Sequence, residues 1–515
     1  MSSAIELSLF ASRVSAICEE MGAVLARTAV SPNIRDRLDY SCALFAANGD
    51  LIAQATHIPV HLGSMAYAMH DLASGRRWKH GDVMILNDPF AGGTHLPDVT
   101  IIAALVVDDV LLGFAASRAH YADIGSAAPG SMPVSDRLEQ EGVLITPRLV
   151  YAADQYQTEA MAELYDCVGD KSRVEADFKA QLSACRLGCK RLLTLVKSAG
   201  YEQFDQRLND LNDYAERITR GMLASIPDGE YQFEDMMDGD GFAAYDVKIR
   251  VKITIEADHL IADFSATDAQ VPGNINCPLS VTAAGVYYVI RCLLPDYTPT
   301  CAGVLRPLTL CSEPGTLVHA TGPAAVAAGN VETSMRIVDV ICGALHEAVP
   351  DRIPAASQGT MNNVAMGGVV EATQTHWSYY ETLAGGCGAS SQHAGESAVH
   401  SHMTNTLNTP IEVLETEYPL RMQAYTVRTG SGGKGQHLGG NGIVREYCFL
   451  DNTTVSLIHE RRIHGPWGIQ GGLSAKTGQN QLNTTPLFGK VSFEAKKGDI
   501  LSIQTPGGGG WGKSF

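Results

Sequence analysis

The sequence has little positive charge. It contains 38 Lys and Arg against 56 Asp and Glu, so its 515 residues carry a formal net charge of −18. Duplex nucleic acids and anionic membrane surfaces are bound through clustered Lys and Arg, so the acidic balance argues against both as partners. No apolar run reaches the roughly 20 residues that span a bilayer. The opening MSSAIELSLFASRVSAICEE lacks the basic start of a signal peptide. We therefore expect a cytoplasmic protein.

Cysteine motifs are also missing, because none of the twelve cysteines forms a Cys-x-x-Cys pair. Cys185 and Cys189 are four residues apart and would share one face of a helix, but a closed zinc site needs four ligands. We expect free thiols, buried or half-buried, as is usual in a reducing cytosol.

Signatures of serine hydrolases and nucleotide sites are absent too. There is no Gly-x-Ser-x-Gly stretch, which argues against an α/β-hydrolase triad. The stretch from Gly507 to Ser514 fits the phosphate-loop pattern in letters only, since the sequence stops at Phe515 and we expect no helix to follow. Cys387 lies six residues before His393 and could act as a thiol nucleophile, but a buried thiol is the simpler explanation.

What is present is a mixture of helical periodicity and alternating strands. Apolar residues at helical spacing predict helices over 4–28, 156–198, 203–224, 281–294 and 331–348. Strand pairs are predicted around three turns, which are Asn48-Gly49 (as a type I′ turn), Asp108-Asp109 and Ala257-Asp258.

The predicted fold class is α+β, built from mixed helices and antiparallel hairpins. Beyond about residue 411, short β-like runs alternate with glycine clusters, which predicts a β-dominated, Gly-rich C-terminal region. Changes in composition along the sequence divide the chain into three predicted domains. Residues 1–228 would contain the candidate site described below, residues 229–405 would form a central α+β domain, and residues 406–515 would form the β-rich C-terminal domain.

The turn NDPFAGGTHLPDV (87–99) is brought near a distant histidine by the second strand pair. If Asp108-Asp109 is a two-residue loop, the numbers of paired residues sum to about 217. Asp98 then lies opposite residue 119, and His120 lies opposite Pro97. A register error of one residue would still leave His120 beside the turn that carries His95 and Asp98.

Two imidazoles and one carboxylate form a ligand set that leaves positions open on a metal, as catalytic sites require. His95, Asp98 and His120 are the candidates, and Asp39, near the end of the first hairpin, could add a second oxygen. Such a set suits zinc, manganese or iron. The alternative is that each histidine is only a hydrogen-bonded structural residue.

Other polar residues near this turn could support the chemistry. His57 and His61, in the stretch HIPVH, could be further members of the cluster or could orient its ligands. The Asp123 carboxylate could form a hydrogen bond that fixes the orientation of an imidazole. Arg118 could contact an anionic group, and Glu141 could act as a general acid or base. Each of these charges could equally be structural.

Several long stretches resemble the hydantoinase B/oxoprolinase family. They are RDRLDYSCALFAANGDLIAQATHIPVHLGSM, LNDPFAGGTHLPDV, SRAHYADIGSAAPGSMP, ADFSATDAQVPGNIN, GNVETSMRIVDVICGAL, HSHMTNTLNTPIEVLETEYPLR and TPGGGGWG. The resemblance runs almost from end to end. Phe90 stands where the family turn often has tyrosine, and Tyr121 stands where it often has a second histidine.

The resemblance implies one half of a two-component enzyme. An A-type subunit binds ATP and Mg²⁺ and phosphorylates the oxygen of an amide or ketone, and the B-type subunit holds a divalent metal (Zn²⁺ or Mn²⁺, or Fe²⁺) and completes the reaction. Carried over residue by residue, the metal ligands fall on His95, Asp98, His120 and Asp39. We assign Asp123 and His57 as candidate catalytic residues.

The expected activity is therefore ATP-dependent hydrolysis of a small cyclic amide (a hydantoin, 5-oxoproline or a lactam) within a hetero-oligomer such as α2β2. The metal would lower the pKa of water enough for hydroxide to form near neutral pH. Three alternatives remain open. They are the large subunit of an ATP-dependent ketone carboxylase, a non-catalytic clamp for the ATP-binding subunit, and a free-standing metalloenzyme.

Overall fold

The structure is a computed structural model that describes residues 4–513. The predicted helix over 4–28 is confirmed, whereas the predicted helix over 156–198 is two helices. A new helix begins at Lys171 because the Asp170 side chain caps it by accepting the N–H of Arg173. The α-helices are α1 Ala4–Thr28, α2 Pro32–Arg35, α3 Pro59–Ser74, α4 Glu159–Cys167, α5 Lys171–Ala199, α6 Tyr201–Leu223, α7 Leu279–Leu293, α8 Ser334–Ala348 and α9 Ile411–Glu417.

The first sheet carries the hairpin on which the sequence prediction rests. Its strands are β1 Tyr40–Ala46, β2 Leu51–Gln54, β3 Val83–Leu86, β4 Asp98–Val107, β5 Val110–His120, β6 Arg148–Ala152 and β7 Gln155–Tyr156. They lie in the order β2-β1-β5-β4-β3-β6-β7, and every neighbouring pair is antiparallel.

Both faces of the first sheet are covered, which is why β4 and β5 read as nearly continuous apolar runs. Successive side chains of a strand point to opposite faces. Along β4, Val99 and Ile101 enter the core shared with α1 and α5, whereas Ile102 and Ala104 enter a second core shared with α3. The site at the ends of β4 and β5 therefore rests on a rigid, fully packed sheet.

The remaining strands form three further sheets. The second sheet contains β8 Gly229–Gly239, β9 Tyr245–Glu256, β10 His259–Asp263 and β11 Leu308–Cys311. The third contains β12 Asn363–Val370, β13 Thr375–Glu381, β16 Thr453–Ile458 and β19 Lys490–Ala495. The fourth contains β14 Leu420–Val427, β15 Ile443–Phe449, β17 Gln479–Leu482, β18 Thr485–Leu487 and β20 Ile500–Gln504. Helices and largely antiparallel sheets confirm the α+β class.

The third and fourth sheets share one apolar core, to which Val364, Leu457, Tyr447 and Ile503 contribute. Helices α7 and α8 pack on each other, and α8 covers β8 and β9. The largest core of the molecule contains residues from each of the three predicted domains, such as Phe10, Met237 and Ile458. The domain bounds themselves remain a prediction.

Of the three predicted turns, Ala257-Asp258 joins β9 and β10 as expected, and the other two differ from each other in the structure. Asp108 and Asp109 both have positive φ, 49° and 60°, as a type I′ turn requires. At the first hairpin, of Asn48 and Gly49, only Gly49 has positive φ (90°), so the predicted type I′ turn is wrong there. The hairpin of β4 and β5 also carries a bulge between Leu105 and Val106, which shifts the register by one residue.

The Gly-rich C-terminal region uses its glycines for close backbone contact. A Cβ atom added at Gly508 or Gly439 would collide with backbone atoms of a neighbouring segment. None of the helices in the described range is long and apolar enough to cross a membrane.

A buried ionic cluster connects the second sheet to the loop after β16. Asp235 of β8 lies 3.1 Å from the Arg336 guanidinium of α8 and 2.8 Å from that of Arg461. Arg461 also pairs with Asp339 at 2.5 Å, and Arg336 pairs with Glu460 at 3.3 Å. All five residues are buried, so these charges depend on one another for compensation.

Candidate metal centre

His95, Asp98 and His120 meet at one end of the first sheet. His95 lies in the turn before β4, Asp98 is the first residue of β4, and His120 is the last residue of β5. The bulge places His120 opposite Asp98 itself, one residue from the predicted pairing with Pro97. The three residues are 0%, 0% and 2% exposed, respectively.

The turn before β4 depends on its glycine pair. Gly92 has φ +102°, a conformation that side chains with a Cβ rarely adopt. A Cβ at Gly93 would collide with the carbonyl oxygens of Asn87 and Asp88. The resulting tight turn brings the chain back to the edge of the sheet and places His95 beside Asp98.

The ligating atoms of the three residues surround a common point. One atom from each lies within 4.8 Å of the other two. His95 Nε2 is 3.1 Å and His120 Nδ1 is 3.4 Å from Asp98 Oδ1. The cavity at this point has a volume of about 20 Å³, which is room for an ion or a water molecule.

The three residues fit a divalent metal because each of them has a buried polar atom without a hydrogen bond. His95 Nε2, Asp98 Oδ1 and His120 Nε2 are buried and make no hydrogen bond. A buried polar atom without a partner is costly, and native proteins rarely leave several together. Two imidazoles and a carboxylate are donors that zinc, manganese and iron accept.

The other oxygen of Asp98 is fully engaged. Asp98 Oδ2 accepts hydrogen bonds from Thr94 Oγ1 at 2.6 Å and Asn330 Nδ2 at 3.1 Å, and it lies 3.2 Å from His61 Nε2. Burial alone would raise the pKa of Asp98, but the His95 and His61 imidazoles outweigh burial and hold it well below its usual value. Asp98 is therefore an anion near pH 7, as a metal ligand must be.

Each histidine is held in place by a second layer of contacts. His95 Nδ1 lies 3.2 Å from the carbonyl oxygen of Ala327, and the backbone N–H of Ala327 donates to the buried Glu141 carboxyl group. The Tyr380 ring stacks on His120 with centroids 4.4 Å apart. Tyr380 in turn donates its hydroxyl to Asn363 Oδ1. Such contacts fix the direction of an imidazole toward a metal.

Asp39 lines the same cavity but is turned partly away from the three ligands. Its carbonyl oxygen accepts the N–H of His120, and its Oδ2 lies 3.7 Å from the Arg37 guanidinium. Its assignment as a fourth ligand remains a prediction. His61 contacts Asp98, as one of the two predicted roles for it requires.

The structure does not bring His57 and Asp123 to this cavity. His57 Nδ1 accepts the backbone N–H of Cys42, and its ring lines a different, larger cavity. Burial lowers the pKa of His57 to about 4, so it is neutral near pH 7. The Asp123 carboxylate accepts the N–H groups of Gly125 and Gly169. Their predicted catalytic roles remain predictions without contacts to the ligands.

Arg118 and Glu141 hold the backbone and side chains around the site. The Arg118 guanidinium donates to Thr100, Ser64 and the carbonyl of Gly92. Burial raises the pKa of Glu141 to about 7, against the lowering effect of the Ala327 N–H and the Ser135 hydroxyl. Cys387 is half-buried, and burial raises the pKa of its thiol to about 11, so the thiol is protonated near pH 7.

Thr94, Asn330 and Tyr380 are site residues that sequence reasoning missed. Thr94 could have been found, since it directly precedes His95 in the same turn. Asn330 and Tyr380 lie more than 200 residues from His120 in sequence, and no local pattern connects them to the turn.

Replacing Glu332 by glutamine is expected to flatten the pH dependence of stability. Burial raises the pKa of Glu332 to about 8, although Thr360 lowers it. The folded protein therefore keeps a proton that the unfolded chain releases near its usual value of 4.5, and stability falls as pH rises between these values. Urea unfolding from pH 5 to 8 measures the slope. The control is Glu371→Gln at an exposed position, which should leave the slope unchanged; an unchanged slope in Glu332→Gln would contradict this assignment.

The site geometry can now be compared with known proteins. A sequence model of the hydantoinase B/oxoprolinase family matches residues 3–514. The chain belongs to the hydantoinase B/oxoprolinase family. An uncharacterized protein of Methanocaldococcus jannaschii is 37% identical to it over 99% of this chain and 91% of that protein.

Two relatives of known name bear on the length and the fold. The 5-oxoprolinase of Saccharomyces cerevisiae is 38% identical over 99% of this chain, but this chain spans only 42% of that protein. The crystal structure of ATP-dependent caprolactamase from Pseudomonas jessenii superposes with a TM-score of 0.92 at 25% identity, covering 100% of this chain and 92% of that chain. The same unit therefore occurs both as part of a longer protein and as a chain of similar length.

Proposed function

We propose that this chain binds one divalent metal through His95, Asp98 and His120, with Asp39 as the fourth ligand, and hydrolyses a cyclic amide. The substrate would be a hydantoin, 5-oxoproline or a lactam whose carbonyl oxygen has been phosphorylated by an A-type partner using ATP. The observation that carries the proposal is that ligating atoms of three buried residues lie within 4.8 Å of one another, and that two of the polar atoms there, His95 Nε2 and Asp98 Oδ1, lack any hydrogen bond.

The relatives support the type of reaction. One is named a 5-oxoprolinase and the other an ATP-dependent caprolactamase, and both names refer to cyclic amides. More than half of the yeast 5-oxoprolinase has no counterpart in this chain. Among residues 4–513, no glycine-rich loop runs from a strand into a helix N-terminus in the manner of a phosphate loop. We infer that an A-type partner supplies the ATP-binding site within a hetero-oligomer.

The proposed reaction adds water across a C–N bond. Phosphorylation first turns the amide oxygen into part of a good leaving group. Hydroxide then adds to the carbonyl carbon, and the C–N bond breaks as the ring nitrogen takes up a proton, which leaves an acyl phosphate. A second water attacks the acyl phosphate, so that phosphate leaves and the ring-opened carboxylate is formed. A bound divalent metal would supply Lewis acidity that makes hydroxide available near neutral pH.

The residues of this chain set the geometry of that step. Thr94, Asn330 and His61 fix Asp98 with Oδ1 facing the centre. The Ala327 carbonyl and the Tyr380 ring orient the two ligating histidines. Hydroxyl groups of Thr382, Thr404 and Thr406 line the same cavity and could donate to an oxygen of the substrate. Because the cavity has room only for a water-sized group, we expect it to widen when substrate enters.

The free state of all twelve cysteines supports the cytoplasmic location that the sequence predicts.

Reconstitution with an A-type subunit tests the proposal. The two proteins are mixed with ATP, Mg²⁺ and, in separate reactions, a hydantoin, 5-oxoproline and a lactam, and both ADP and ring-opened product are measured. Formation of the two products together, only when both proteins are present, is the expected result. Bicarbonate-dependent ATP consumption with a ketone would instead show a carboxylase, and ring opening without ATP or partner would show a free-standing metalloenzyme.

A further inference from the structure

A second cavity, of about 280 Å³, lies behind the wall of the metal centre. It is enclosed by β2, the start of α3, α7 and the segment 300–305. Gly63 of α3 approaches so closely that a Cβ there would collide with Ala284 of α7, and this contact closes one side. The volume is just below that of pockets for drug-sized ligands, so the cavity suits a smaller molecule.

Most of the lining is apolar. Leu51, Ala55, Ala66, Ala284, Val304 and Leu305 contribute aliphatic side chains. The phenol rings of Tyr287 and Tyr288 form part of the α7 side. Such a surface accepts a hydrocarbon body of a few carbon atoms.

Two polar atoms in this lining are buried and have no hydrogen bond. One is the acceptor Oε1 of Gln54, at the end of β2, and the other is the donor Nη1 of Arg291, on α7. The Arg291 side chain is half-buried, and within residues 4–513 no carboxylate lies close enough to it to form an ion pair. Burial lowers the pKa of Arg291, and the attraction of Asp296 only partly offsets it.

The Arg291 guanidinium, which has no ion-pair partner, and the unpartnered amide oxygen of Gln54 belong to the lining of one apolar cavity, and together they indicate the chemistry of its ligand. We propose that this cavity binds a small monocarboxylate with an aliphatic body and an N–H group. The carboxylate would pair with Arg291, since guanidinium binds carboxylates through two parallel hydrogen bonds. The N–H would donate to Gln54 Oε1, and the aliphatic body would fill the space between them.

The segment 57–63 forms the wall between the two cavities. His57, Pro59 and Gly63 line the second cavity, whereas Ile58, Val60 and His61 line the metal centre. A ligand in the second cavity therefore contacts the same segment that places His61 beside Asp98. The ring-opened product of a cyclic amide is a molecule of the proposed class; that link rests on the proposed function, whereas the site itself does not.

Calorimetric titration of the full chain with N-acetyl-L-leucine tests the site without any turnover. This probe carries a carboxylate, an amide N–H and a branched aliphatic body. We expect saturable binding of one molecule per chain. N-acetyl-L-leucinamide has the same shape without the charge and should bind at least about tenfold more weakly, because charge-assisted hydrogen bonds are the stronger kind. The compound 4-methylpentanoate lacks the N–H and should also bind more weakly.

The variant Arg291→Gln should weaken binding of N-acetyl-L-leucine by at least about tenfold. The matched control is Arg306→Gln, since Arg306 pairs with Asp213 and Glu216 and does not line the cavity. It should bind the probe as the unmodified chain does. Absence of binding to the unmodified chain, or equal binding of the acid and the leucinamide, would overturn the proposal even if Arg291→Gln failed to fold. Because no ATP, partner or metal is needed, failure here would leave the proposed function standing.

Discussion

Replacing His120 by alanine is expected to abolish ring opening while leaving the interaction with the A-type partner intact. His120 contributes one of the three ligating atoms that lie within 4.8 Å of one another, and it is held by the Tyr380 ring and the β5 backbone. Loss of contacts that merely orient a metal ligand already lowers affinity or activity by about 10- to 100-fold, so loss of the ligand itself should lower turnover by more than about 1,000-fold. Turnover by the reconstituted enzyme is the measurement.

His80→Ala is the matched control for this substitution. The exposed His80 forms a hydrogen bond through Nδ1 to the carbonyl oxygen of Val106, and its Nε2 lies 3.6 Å from Asp154 Oδ2. It is not part of the cluster of His95, Asp98 and His120. Its removal should leave turnover unchanged. Co-purification of His120→Ala with the partner shows that the variant is folded. Normal turnover by His120→Ala would contradict the proposed role of the cluster.

Replacing Arg336 by methionine is expected to cause the largest loss of stability, about 3 kcal/mol. Methionine keeps most of the volume, but it leaves the buried Asp235 and Glu460 carboxylates with fewer positive partners. Removing one member of a buried ionic group costs about 3–5 kcal/mol because the remaining charges are uncompensated. Here Arg461 still pairs with Asp235, and Lys490 with Glu460, so we expect the lower end of that range. The free energy of unfolding in urea measures the loss.

The pH dependence of this contribution has a definite sign. Burial would raise the pKa of Asp235, but Arg336 and Arg461 hold it well below its usual value of 3.8. The stabilisation is therefore present above about pH 4 and is lost as the pH falls further. The control is Arg250→Met, which breaks partly exposed pairs with Glu234 and Asp268 and should cost less than about 1 kcal/mol. Equal losses in the two variants would contradict the account of the buried cluster.

The ends of the β4–β5 hairpin could be predicted from sequence because turn chemistry fixes register over a short distance. Asp108 and Asp109 adopt the predicted two-residue turn, and His120 lies beside Asp98. The single bulge between Leu105 and Val106 could not be foreseen, since nothing in an apolar run marks where a strand gains a residue. The predicted register was therefore wrong by one residue, which is too small a shift to separate the side chains of Asp98 and His120.

The rest of the site depends on packing that sequence periodicity does not encode. Asn330 reaches Asp98 from the segment that leads into α8, and Tyr380 reaches His120 from β13. Asp123 and His57 are close in sequence to site residues, but hydrogen bonds to backbone N–H groups hold their side chains elsewhere. Proximity in sequence to a site residue therefore predicted a position in the site only where a hairpin fixed which residues lie opposite each other.

The family resemblance and the local chemistry identified the same three ligands independently. Hairpin register led to His95, Asp98 and His120 through turn residues alone, and the structure brings a ligating atom of each within 4.8 Å of the other two. The family resemblance and the structure differ for Asp39. The resemblance makes Asp39 a probable ligand by position, whereas its carboxylate lies nearest to Arg37 in the structure. Binding of a metal would require that carboxylate to turn toward the centre.

The central claim is that one divalent cation fills the space between three buried side chains. Equilibrium dialysis of the purified chain against Zn²⁺ and, separately, Mn²⁺, followed by elemental analysis, tests it most directly. The account predicts one tightly held ion per chain for at least one of these metals, and loss of that ion in Asp98→Asn, which removes the anion at the centre. Retention of no ion by the unmodified chain, or equal retention by Asp98→Asn, would contradict it.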